Sequence, residues 1–166
     1  MNRNELIKSL QLQAHPEGGF YKETYRSEMM IFEGENNSGF NEARNVSTAI
    51  YFLIERDNFS ALHRIKSDEI WHFYTGDPLE VIEITPQGQL IHTMVGSEID
   101  KGQVFQYVVK AGHWFGSRVL SGGDFSFVGC TVAPGFDFRD FEMGERDQLI
   151  HQFPEHSEII QQMTRV

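Results

Sequence analysis

From Val46 onward the chain runs in short stretches where apolar and polar residues alternate, separated by clusters of turn residues. Alternation with a period of two is what a strand shows when one of its faces is buried. The stretches predict strands over residues 47–54, 60–65, 69–74, 79–85, 89–95, 104–109, 114–120 and 125–132. Between them SDE, TPQG and SGGD hold residues that bend a chain at low cost. Short strands in such a succession are the signature of a sandwich or a closed barrel.

The flanks read differently. Leu6, Ile7 and Leu10 recur at helical spacing over residues 2–13, with Asn2 placed to cap and Glu5 three positions on, as in a capping box. AHPEGG ends that helix, and a strand over residues 20–26 follows. In a regular strand Tyr21, Glu23 and Tyr25 share one face, and Phe20, Lys22, Thr24 and Arg26 the other. Residues 33–41, EGENNSGFN, are polar and read as a surface loop. Beyond Pro134 and Gly135, residues 141–152 and 154–163 return to helical spacing, with Pro154 in a first-turn position and Ile159, Ile160 and Met163 on one face. These helices are expected to pack outside the barrel.

Composition narrows the class. The 166 residues suit one domain, 1–166, undivided by a repeat, linker or low-complexity tract. Aromatics at 13%, including fourteen Phe, fit half-buried strands. A net charge of -10, uninterrupted by a run of Lys or Arg, repels phosphate backbones and anionic membrane surfaces. Nucleic acid and membrane are therefore not expected partners. The one cysteine, Cys130, excludes an internal disulfide, and its surroundings FVGCTV read as a buried strand where a thiol acts as a small apolar group. No window approaches the roughly 20 apolar residues of a membrane span, and MNRNELIKSL has no run of signal-peptide length. A cytoplasmic protein is the expectation.

The stretch LHRIKSDEIWHFYTGD, residues 62–77, resembles the first motif of the cupin superfamily, a His-x-His followed by Glu and then Gly. The matching positions are His63, Ile65, Glu69 and Gly76. KAGHWF resembles the second motif, with Gly112 at its glycine and Phe115 where its histidine falls. HPEGGFYKETYRS, STAIYFLI, DEIWHFYTGDPL, AGHWFGS and VGCTVAPGFDFRDFE together resemble an uncharacterised family of small jelly-roll cupins, a domain of unknown function, over nearly the whole chain. The resemblance implies an all-β fold, a double-stranded β-helix (cupin jelly-roll barrel) with short N-terminal and C-terminal helices, and a homodimer. It implies no established activity.

Catalytic cupins hold Fe, Mn, Ni or Zn with three imidazoles and a carboxylate. At those positions this chain offers His63 and Glu69, while Ile65 and Phe115 have no lone pair to give. No cofactor is therefore expected, and a divalent transition metal held by His63 and Glu69 is the weaker alternative. His113, two residues before Phe115, points to the same face but is displaced by roughly 7 Å along the strand. His72 has the opposite parity to Glu69, Trp71 and Phe73. His15, His92, His151 and His156 receive no role.

What remains is a metal-free pocket. If His63 and Glu69 touch, the carboxylate orients the imidazole and favours its charged form, and a proton can be moved. The arrangement resembles the metal-free cupin epimerases of nucleotide-linked deoxyhexoses, which set a tyrosine against a histidine and its acidic partner. Tyr51 and Tyr107 are available tyrosines on barrel strands, and Lys22 and Arg26 would meet an anionic group. Trp71, Phe73, Trp114 and Phe115, with His113 beside them, offer flat faces to a sugar or nucleobase, although core filling accounts for the same aromatics. The expected function is small-molecule binding in the barrel, with acid-base isomerisation or epimerisation of a carbohydrate-like or nucleotide-sugar substrate. A non-catalytic binding or sensing module and a metal-dependent oxygenase or isomerase are the alternatives.

Overall fold

The computed structural model describes residues 2–32 and 40–165. Of the loop expected over 33–41, all but Phe40 and Asn41 lies outside the described residues. The first helix, α1 (Arg3–Leu10), starts from the expected capping box: Asn2 Oδ1 accepts from Glu5 N at 3.0 Å, and Glu5 Oε2 accepts from Asn2 N at 2.9 Å. It stops at Gln11, which turns left-handed at φ 57°.

The strands that follow are β1 (Gln13–Ala14), β2 (Phe20–Arg26), β3 (Met30–Ile31), β4 (Arg44–Asn45), β5 (Thr48–Glu55), β6 (Phe59–Arg64), β7 (Asp68–Gly76), β8 (Leu79–Ile84), β9 (Leu90–Val95), β10 (Gln106–Val109), β11 (Trp114–Val119), β12 (Phe125–Ala133) and β13 (Glu142–Met143). They form a six-stranded sheet, β1-β2-β5-β12-β7-β10, facing a five-stranded sheet, β13-β6-β11-β8-β9. A small ribbon of β3 and β4 stands beside them. Alternation decides what goes between the sheets: Phe52, Ile54, Trp71, Val81, Phe115 and Val128 fill the interior. The residues between them in sequence point outward. Leu53 and Phe127 meet Leu6 and Leu12 at one outer face, and Leu62, Ile82, Ile84 and Trp114 meet Leu149, Phe153, Ile160 and Met163 at the other. Each such side chain gains roughly 1.5–3 kcal/mol by leaving water.

The C-terminal helices lie outside the barrel as expected, but they are shorter. Residues 141–152 are not one helix: Glu142 and Met143 pair with Arg64 and His63 as an edge strand, and only α2 (Arg146–Gln152) is helical. The backbone reason is Gly144, whose N–H donates to Leu62 O at 2.8 Å and holds the segment against β6. After a 3-10 turn at Pro154–His156 comes α3 (Ser157–Gln162).

Two connections position the site. The loop HPEGG folds back on itself, His15 N donating to Gly19 O and Gly18 N to His15 O, and Ala61 N of β6 donates to Glu17 O at 2.9 Å. The Arg165 guanidinium locks this contact by donating to Glu17 O, Phe59 O and Asn58 Oδ1. The second connection, the strap over residues 134–143, starts with Gly135 N on Asn45 O and Phe136 N on Thr48 Oγ1. It is held further on by a buried ion pair, Arg44 Nε to Asp140 Oδ2 at 2.6 Å and Nη2 to Oδ1 at 2.9 Å.

At Gly18 a Cβ would stand 2.1 Å from Phe59 O, and φ is +115°. Gly18→Ala should therefore cost about 3 kcal/mol or more of unfolding free energy in urea. Gly112→Ala, strained at φ +79° but facing open space, should cost about 1 kcal/mol. Equal losses at the two sites would contradict the close approach of the loop to β6.

Candidate functional site

Strand register builds the interior in rows. Across the five-stranded sheet His63 lies opposite Phe115, and Phe115 opposite Glu83. Across the six-stranded sheet one row is Ile50, Cys130, Trp71 and Tyr107, and the next is Thr48, Val132, Glu69 and Val109. Between His63 and the second sheet is a cavity of about 40 Å³, lined among others by His15, Glu17, Tyr21, Thr48, His63, Glu69, Cys130 and Phe136.

Four titratable side chains meet here in near-complete burial. His63 is 3% exposed, Glu17 6% and Glu69 8%, and the His15 side chain 7%. His63 Nδ1 donates to Ala61 O at 2.7 Å, which fixes the ring and leaves Nε2 facing Glu17 Oε2 at 3.1 Å. The carbonyl can only accept, so a neutral His63 carries its proton on Nδ1 and presents a lone pair at Nε2. One proton must then lie between Nε2 and the Glu17 carboxyl. Burial lowers the pKa of His63 and raises that of Glu17, so it disfavours the charged form of each. Ser60 Oγ donates to the other oxygen, Glu17 Oε1, at 2.8 Å. His15 Nδ1 accepts from Glu17 N at 3.2 Å, so a neutral His15 carries its proton on Nε2.

Glu69 stands on the opposite wall. Burial pushes its pKa up to about 7, helped by the Glu17 carboxyl and opposed by His63 and by a hydrogen bond from the Cys130 thiol. Cys130 is pushed well above the ordinary thiol range, first by burial and then by Glu69, which makes it a poor nucleophile. Phe115 and Phe141 flank the His63 ring, with centroids at 4.1 and 5.2 Å. Phe136, Phe138 and Phe141 of the strap pack edge to face over the mouth.

The structure brings His63, Glu69, Trp71 and Phe115 to one interior, and Phe73 to the same face of β7 further along. It separates the others. Tyr51 faces outward against Tyr74 and Phe127, so it is not in the pocket. Trp114 also faces outward, where Arg64 stacks on it with its guanidinium 4.5 Å from the ring centroid. Lys22 is exposed on the outer face opposite Tyr51, whereas a bulge after Glu23 turns Arg26 towards Thr48 at the rim. There Arg26 is bound by Glu23 at 2.9 and 2.7 Å and donates to Phe136 O. Tyr107 and His113 both point inward but meet Glu83, 1% exposed, rather than His63. The orienting partners of His63 are Ala61 and Glu17, not Glu69, which acts on it through charge alone. His15 and Glu17, given no role by sequence, are the additions; the signal is HPEGG, whose paired glycines mark a backbone pressed against another.

The residues present do not fit the metal centre of catalytic cupins. Ile65 and Phe115 supply hydrocarbon at two of its four positions, both buried. Among the described residues no group of three or more His, Cys, Asp or Glu side chains is set to hold a metal ion. Nor is any helix there long and apolar enough to cross a membrane.

Two facing antiparallel sheets of this connectivity, closed around a polar mouth, define a jelly-roll cupin. The cupin 2 domain-containing protein from Halorhodospira halophila shares that fold at a TM-score of 0.55 and 10% identity, covering 93% of this chain and 88% of its own. The particular family follows from a match over residues 4–144 to the Cupin superfamily (DUF985) model, and the chain belongs to it. An uncharacterized protein of Saccharomyces cerevisiae, YML079W, is 34% identical over 157 residues, covering 89% of this chain and 78% of its own. A hypothetical protein from Leishmania major is similar throughout, at 38% identity and a TM-score of 0.91 with both chains fully covered.

Because the folded Glu69 titrates near 7 rather than at 4.5, it keeps a proton that the unfolded chain gives up between those values. Its contribution to stability therefore falls as pH rises from about 4.5 to 7 and is level above. Glu69→Gln cannot titrate, so the melting-temperature gap between variant and wild type should widen in the variant's favour over that window. The widening corresponds to about 3 kcal/mol at most. A gap that stays constant from pH 4.5 to 8 would show that Glu69 titrates as an ordinary carboxyl.

Proposed function

We propose that this cupin binds a small carbohydrate-like molecule at the mouth of its barrel and isomerises or epimerises it by moving a proton without a metal. The observation that carries the reading is the 3.1 Å approach of His63 Nε2 to Glu17 Oε2, across which one proton can pass. Shifting it to the imidazole leaves Glu17 as a carboxylate base and loads His63 as an acid. A C–H proton taken by Glu17 and returned to carbon completes a cycle in which no electron is gained or lost. Phe115 and Phe141 hold the His63 ring between them, and Ala61 O supports its charged form.

A cavity of about 40 Å³ admits the reacting end of such a molecule and not the whole. The rest would lie against Phe136 and Phe138, the latter 54% exposed. The nucleotide-sugar form of the reading has little support at the rim, since Lys22 faces away and Arg26 is already paired with Glu23. A homodimer belongs to the same proposal, supported by Tyr25, Met29, Met30 and Phe32, all exposed in and just after the part of β2 that extends beyond its pairing with β1 at Phe20 and Tyr21 among the described residues. The buried lone thiol suits a reducing cytoplasm.

The test works whatever the product turns out to be. Hexoses, hexosamines and nucleotide sugars are incubated with the protein in deuterium oxide, and proton NMR reads the loss of C–H signals. One substrate should exchange with wild type, and Glu17→Gln and His63→Asn should each slow it about 100-fold or more while circular dichroism is unchanged. Absence of exchange across the panel, or equal rates in the variants, would overturn the assignment.

A further inference from the structure

Resting on the reading of this cavity as a substrate site, we propose that it receives a primary ammonium group, the –NH₃⁺ of an amine-bearing, carbohydrate-like molecule. Size is the first argument. A cavity of about 40 Å³ exceeds the roughly 10–15 Å³ that one water needs, so it has room for a small polar head group such as an ammonium.

The second argument is the balance of donors and acceptors. Among the described residues the Glu69 carboxyl takes only the Cys130 thiol as hydrogen-bond donor, and the cavity lies beside it. A carboxylate has about four lone-pair sites, and a thiol is a weak donor. Glu17, across the cavity, has one oxygen filled by Ser60 and shares the other with His63. The site is thus short of donors, and an ammonium brings three donors and no acceptor. Tyr21, Phe136 and the His15 ring add aromatic walls whose faces attract a cation.

Charge gives the third argument. The groups that face Glu69 are His63 from β6, His15 and Glu17 from the loop before β2, Tyr21 from β2 and Cys130 from β12. None holds a fixed positive charge. The cation at the rim, Arg26, is tied to Glu23, Asn45 and Phe136 O. Two carboxyls are therefore buried without a resident cation, an arrangement that a bound anion would worsen and a bound cation relieves. The proton that Glu69 keeps up to about pH 7 leaves when the cation arrives. Affinity should accordingly rise with pH towards 7 and level off above it.

The test is calorimetry on the full chain near pH 6 with D-glucosamine, D-glucose and N-acetyl-D-glucosamine, and with methylammonium chloride as the smallest carrier of the group. D-Glucosamine should bind about tenfold or more tighter than its two neutral counterparts. Its heat should depend on the ionisation enthalpy of the buffer, reporting proton release. Glu69→Gln should abolish the preference and the proton release together, while Lys22→Ala, on the outer face, should change neither. Equal affinity for the three sugars, a preference that survives in Glu69→Gln, or no binding by any probe including methylammonium would overturn the inference. Deuterium exchange without an amine preference defeats this inference alone, and amine binding without exchange defeats the acid-base reading alone.

Discussion

The structure around the barrel mouth depends on one constraint: carboxyls and imidazoles taken almost fully out of water must settle their charges among themselves. An isolated buried ion costs several kcal/mol, far more than any surface pair returns. The fold meets the constraint at Glu17 by placing His63 Nε2 beside one oxygen and Ser60 beside the other. Everything that holds Glu17 there becomes part of the site. That includes the glycine-bearing loop, the Ala61 backbone that grips it, and Arg165, which reaches in from beyond α3. A residue at the far end of the chain thus positions a proton near its start.

The same logic explains why the metal positions became hydrocarbon without loss of the barrel. His63, Phe115 and Glu83 form one row of a sheet whose register is fixed by backbone hydrogen bonds, and these ask nothing of the side chains. Phe115 therefore keeps the place of a ligand while offering only a ring face to His63. With Ile65 it walls off two polar groups in one barrel, the Glu17 cluster on one side and Glu83 with Tyr107 and His113 on the other. The strap over residues 134–143 closes the first of these with phenylalanines rather than with charge, so the cavity stays small and its field little screened.

Much of this is legible in the chain. Period-two alternation locates the barrel strands, and the parity that sets His72 apart from Glu69 holds, since His72 bonds Thr131 and Gln106. Parity applied fully also separates Trp114 from Phe115, which as neighbours in one strand cannot share a face. The same rule puts Lys22 and Arg26 together, and the bulge after Glu23 undoes it, because an inserted residue exchanges the faces beyond it. His15 and Glu17 are hidden for another reason. Their meeting with His63 is a contact between segments more than forty residues apart, and local pattern carries no record of it. Glu142 and Met143 deceive in the same way, since helical spacing near α2 loses to pairing with β6.

Glu83 and Glu69 make an informative pair. Both are buried on inward-facing positions of barrel strands, 1% and 8% exposed. Glu83 is met by the Tyr107 hydroxyl and by His113 Nδ1 at 2.9 Å, so each of its oxygens has a donor. The chain therefore has the means to satisfy a buried carboxylate and uses them at one of the two. Among the described residues Glu69 is left with a thiol, beside a cavity of about 40 Å³. A deficit of donors next to an opening, in a fold that supplies donors a few strands away, sets Glu69 apart from Glu83.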